Sequence, residues 1–96
     1  MSNLNVRIPQ VESIEKAIQI FYSRIEIGNK DVAELFGRIG TARITKLKKL
    51  AKEQMDEDNV PNWNAAYVNT KAAYKAWGLD IDDLEKRYAK LKKLGA

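Results

Sequence analysis

Apolar residues recur along most of the chain at intervals of three and four, the spacing that puts them on one side of a helix. The first stripe is Val11, Ile14, Ala17, Ile18, Phe21 and Ile25, with Glu12, Glu15, Lys16 and Gln19 between. It predicts a helix over roughly 10–24, with Pro9 near its start, where a missing N–H costs nothing. Residues 1–8 read as an arm, and Arg7 on it is within reach of a phosphate. Arg24-Ile25-Glu26-Ile27 alternates for one period and reads as a short extended connector, ended at once by Gly28-Asn29. Asn29 is then the expected N-cap of a second helix with Val32, Ala33, Leu35 and Phe36 on its apolar face and Gly37 as its stop.

A third helix is expected over roughly 41–55, starting near Gly40 or Thr41. Its buried arc is Ile44, Leu47, Ala51 and Met55, close together at about 100° per residue. The acidic run EQMDED (53–58) should end it near Met55, because a helix C-terminus disfavours carboxylates. Asn59-Val60-Pro61-Asn62 is the clearest break, with Val60 pushed out of the α region by Pro61. Asn62 then caps a predicted fourth helix over roughly 63–77. Its stripe would be Trp63, Ala66, Tyr67, Thr70, Tyr74 and Trp77, and Gly78 would stop it with Leu79 folded back on Tyr74. Asp80 caps a last helix over 81–94, in which Ile81, Leu84, Tyr88 and Leu91 face inward. The expected architecture is a single all-α domain over 1–96 with about five helices. A three-helix bundle (9–56) would be followed by a helical hairpin (62–94).

Residues 29–52 carry a more specific pattern. A small residue in the second helix (Ala33), a Gly four places on (Gly37), an apolar turn residue (Ile39) and apolar Ile44 and Leu47 form a compact corner. Helices crossing at a steep angle over a short turn need a small residue at the contact and Gly in the turn. This quarter of the chain resembles the helix-turn-helix of DNA-binding proteins. Arg38 stands between Gly37 and Ile39 as one extra residue in the turn, and counting from Ile39 brings Ile44 and Leu47 into register. The resemblance implies a helix 41–55 that reads the major groove. It places base reading on Thr41, Ala42, Thr45, Lys46 and Lys49. The same five include the side of the helix opposite Ile44, Leu47 and Ala51.

Charge points the same way. The chain has 17 basic and 13 acidic side chains, a net charge of +4. Arg38, Arg43, Lys46, Lys48, Lys49 and Lys52 fall within 38–52, a stretch without Asp or Glu, so the rest of the chain is slightly acidic. Such a one-sided cluster is the footprint of a nucleic-acid face. Arg38, Arg43, Lys48 and Lys52 lie to the sides of the expected reading face and suit phosphates, which fix register without reading sequence. Thr can hydrogen-bond a base edge or touch a thymine methyl, and Lys can donate to guanine. The expected partner is double-stranded DNA, because a rigid helix fits its major groove and not the narrow one of RNA.

Other chemistry is thinly represented. With no Cys and no His, disulfides, thiolate zinc sites and the commonest general base are excluded. EQMDED lacks the spacing and the Gly of a calcium loop. Asp80, Asp82 and Asp83 come without a nucleophile or a phosphate loop, so no enzyme, cofactor or small-molecule ligand is expected. No apolar run approaches the roughly 18 residues that span a bilayer, and MSNLNVRIPQ does not read as a signal peptide. The expectation is a cytoplasmic DNA-binding protein, a transcriptional regulator or a mobile-element or phage DNA-handling accessory factor. At helical spacing the Trp63–Trp77 stripe reads first as core; the rival reading is a protein-interaction module that uses it, and a homodimer interface is the alternative use of the same stripe.

Overall fold

Ser13 starts the first helix. Its hydroxyl accepts from the Lys16 N–H at 3.2 Å, and α1 then runs Ile14–Ser23. The computed structural model describes residues 7–95, so the first six residues of the expected arm lie outside it. α1 begins about four residues later than its stripe suggests. Glu12 N–H donates to Leu35 O at 3.0 Å, which holds the preceding segment extended and supplies a donor to one of the otherwise unpartnered carbonyls at the end of another helix. Val11 still packs on the core, but from this extended segment.

Six further elements follow: β1 (Glu26–Ile27), α2 (Asn29–Phe36), α3 (Thr41–Glu57), β2 (Val68–Asn69), α4 (Thr70–Ala76) and α5 (Ile81–Gly95). The chain is mostly helical, as its periodicity predicts, with a two-stranded antiparallel sheet added. Glu26 pairs with Asn69 and Ile27 with Val68. Both Ile27 and Val68 are fully buried, so the brief alternation before Gly28 is a strand with a distant partner.

The sheet displaces the start of the predicted fourth helix. Residues 62–67 are not helical, and Asn62 caps nothing. Asn64 instead accepts from the Ala66 N–H at 2.9 Å, a local turn, and Asn69 is the real cap, accepting from the Ala72 N–H at 2.9 Å. The expected aromatic stripe is therefore cut in two. Tyr74 and Trp77 are buried, whereas Trp63 is 82% exposed. Similarly, the cap of α2 is Gly28, whose N–H donates to the Asp31 carboxylate at 3.0 Å, and Asn29 is the first helical residue.

α3 continues two residues past Met55 because its acidic end is accommodated. The Asp58 carboxylate takes the Gln54 amide and pairs with Lys75 at 3.2 Å. Asn59 adopts a left-handed conformation (φ 56°), and Val60 N–H closes back on Met55 O at 2.8 Å. α4 ends in the same way, as expected: Leu79 N–H donates to Tyr74 O at 2.8 Å and Gly78 N–H to Lys75 O at 3.2 Å.

The core joins all five helices. α4 packs most extensively on α3, and α5 on α1. The two buried aromatics of α4 also satisfy their polar tips. Tyr74 Oη donates to Ala17 O at 2.6 Å and Trp77 Nε1 to Leu47 O at 2.8 Å, fixing α1 and α3 to the same short helix. Burial pushes the Tyr74 phenol well above its usual pKa. Phe36 meets Trp77 edge-on with ring centroids 5.4 Å apart, which brings α2 into the same cluster.

Candidate nucleic-acid interface

α2 and α3 are joined by the four residues Gly37–Gly40. Gly37 has φ 82°, and a Cβ there would also run into the Glu12 carboxylate. The positive φ favours glycine here, and any side chain would also have to displace the tip of Glu12. Ile39 packs against the core from the turn, while Arg38 points its charge outward. Gly40 precedes α3 and has no side chain with which to cap it, so its first turn opens to solvent.

The inner side of α3 is Ile44, Leu47, Ala51 and Met55, the predicted arc. Thr41, Ala42, Thr45, Lys46 and Lys49 are all exposed, as are Arg38 and Arg43. Thr45 Oγ1 donates back to Thr41 O at 3.0 Å. That bond leaves the Thr45 oxygen free to accept and its methyl free for an apolar contact. The Arg43 guanidinium reaches Arg7 O at 3.5 Å, which brings the start of the described chain alongside α3.

Lys48 and Lys52 differ from the others. They are half-buried, and their ammonium groups point sideways onto the segment 64–67. Lys48 Nζ donates to Asn29 Oδ1 at 2.9 Å and to Ala66 O at 2.7 Å, and Lys52 Nζ donates to Ala65 O at 2.8 Å. Burial, and then the neighbouring Lys52 charge, lower the Lys48 pKa. An ammonium has three donors, so Lys48 retains one and Lys52 two for a further acceptor. The two lysines thus act as clips that lay a loop along one flank of α3. Tyr67 in this loop is partly exposed with its ring over Gly28, and Trp63 just before the loop is exposed. Helical spacing had assigned both aromatics to another element, and no signal in the sequence placed them here. Asn29, read as a cap, proves to be a partner of Lys48.

Electrostatically, α3 stands apart. Among the described residues the ion pairs are Arg24–Asp31 at 3.8 Å, Lys75–Asp58 at 3.2 Å and Arg87–Asp83 at 2.9 Å. None of them involves a basic residue of 38–52. The described residues contain no cluster of three or more metal-ligating side chains, and no described helix is long and apolar enough to cross a membrane. Comparison with protein-family models, curated proteins and solved structures finds no match to this chain.

Proposed function

We propose that the protein is a double-stranded DNA-binding module, with α2, the turn and α3 acting as a helix-turn-helix. The observation that carries this reading is the row of six basic side chains over 38–52, none of them in an ion pair among the described residues. Unpaired like charges repel one another, and a polyanion relieves that repulsion. α3 enters the major groove by its N-terminal half, where small Thr41 and Ala42 permit close approach. Thr45, Lys46 and Lys49 then meet base edges, and Arg38, Arg43, Lys48 and Lys52 hold phosphates. α4 and α5 complete the unit by holding α3 and α1, so the chain works as one domain. The role is regulatory or DNA-handling, in the cytoplasm, as a transcriptional regulator or a mobile-element or phage accessory factor. It needs no cofactor and no catalytic residue.

The test is fluorescence anisotropy with a labelled duplex across a salt series, beside a selection from genomic fragments. Four phosphate contacts give a slope of roughly −3 to −4 in log K against log salt, about −0.9 for each contact. An enriched motif identifies sequence reading, and a steep slope without enrichment identifies a non-specific architectural role. Absence of binding at about 50 mM salt refutes the proposal. It favours instead a protein-interaction module built on Trp63, whose 82% exposure is the observation on that side.

A further inference from the structure

A groove of about 810 Å³ runs between residues 8–15, the extended lead-in and first turn of α1, and α5. Its floor is apolar, with Val11, Leu79 and Tyr88 half-buried along it. Its rim is acidic. Glu12, Glu15, Asp80 and Asp83 line it, and the one base among them, Arg87, is already paired with Asp83 at 2.9 Å. At the edge of this groove, which Leu91 itself lines, α5 is exposed at every residue from Ala89 to its end. That end is both apolar and basic: Leu91 is 52% and Leu94 85% exposed, among Lys90, Lys92 and Lys93.

The geometry points to a two-fold homodimer in which the C-terminal half of α5 from each copy lies antiparallel in the groove of the other. Three observations fix the occupant as a second copy. First, α5 carries its acids early (Asp82, Asp83, Glu85) and its bases late (Lys90, Lys92, Lys93), so an antiparallel pair sets each half against its opposite. A parallel pair would oppose like charges. Second, the rim that receives the basic end is the acidic one, which repels an anionic lipid surface or a nucleic acid. Third, the surface is self-complementary, since the groove and the end that fills it both involve α5. That is the requirement for an isologous contact. Leu91 and Leu94 leave water for the apolar floor, and Lys90 and Lys93 come beside Asp83 and Glu15. This inference does not rest on DNA binding.

The experiment is sedimentation equilibrium at about 0.1 M salt, from about 10 µM to about 0.5 mM protein, the range in which a small interface of this kind becomes populated. The mass of the unaltered chain should rise from 10.9 kDa towards twice that value. A Leu91→Asp/Leu94→Asp protein should stay at 10.9 kDa with an unchanged circular dichroism spectrum, both positions being exposed. Two charge-reversed proteins, Lys90→Glu/Lys93→Glu and Glu15→Lys/Asp83→Lys, should each self-associate at least about tenfold more weakly, and their equimolar mixture should recover the dimer. A chain that remains monomeric throughout overturns the inference. So does a dimer that survives the two Leu substitutions, or a mixture that stays monomeric.

Discussion

Five basic side chains stand on α3 and five on α5, yet the two helices treat them in opposite ways. α5 places acids in its first turn and Lys92 and Lys93 in its last, the order that a helix dipole favours. It also pairs Asp83 with Arg87 one turn on, and Glu85 takes the Tyr22 hydroxyl from α1, which raises the phenol pKa. α3 has no acid in its first turn and no base in its last, and its acids Glu53, Asp56 and Glu57 gather at the wrong end. Its charges therefore oppose its own dipole and are unpaired. A helix whose charges only served its stability would look like α5. The difference teaches that the charge order of α5 serves the stability of its own helix, whereas that of α3 does not.

The comparison breaks first at the platform beneath α3. Trp77→Ala removes the ring that meets Phe36 and the indole N–H that holds Leu47 O, and should cost about 3–5 kcal/mol in urea unfolding. No single exposed change on α5 should approach that figure. Next comes charge. Lys46→Ala with Lys49→Ala should weaken duplex binding by about 1–3 kcal/mol and relax its sequence preference, while leaving urea stability within about 0.5 kcal/mol. Lys86→Ala with Lys90→Ala on α5 should leave duplex binding unchanged. Equal losses from the two pairs would remove the distinction between the helices. The smallest effect lies at the turns that lead into them. Gly37 (φ 82°) and Gly78 (φ 72°) are both left-handed, but a Cβ at Gly78 meets open space and one at Gly37 meets Glu12. Gly78→Ala should cost about 1 kcal/mol and Gly37→Ala about 1–2 kcal/mol, read from denaturant midpoints.

Most helices were legible because each buries a stripe that its sequence repeats. Ile44, Leu47, Ala51 and Met55 appear on the inner side of α3 as read, and Leu84 on that of α5, but Leu91, read as inward, is 52% exposed because α5 runs on beyond the elements that cover it. The sheet was not legible. Two residues hold too little periodicity to mark a strand, and the partner of Ile27 is Val68, far along the chain. The same pairing explains the misread start of α4. Trp63 and Tyr67 fit a helical stripe with Tyr74 by spacing alone, but a tertiary contact of Val68 takes the backbone into a strand first. At the candidate interface, exposure follows from helical period, so the outward placement of Thr45, Lys46 and Lys49 was legible by counting. The inward turn of Lys48 and Lys52 depends on where the 64–67 segment lies, and that in turn on the sheet. A cap reading of Asn29 failed for a related reason: Gly28 could hold the cap position through Asp31, which freed the Asn29 amide for Lys48.

The division of the aromatic stripe leaves the molecule with two dissimilar light emitters. Trp77, 3% exposed, sits in an apolar cage and reports whether that cage is closed. Trp63 stands in water beside the loop that Lys48 and Lys52 hold against α3. Excitation at the red edge of the indole band would favour the second and an exposed-indole quencher would silence it. One unlabelled sample can therefore report unfolding of the core and changes at this loop as separate signals.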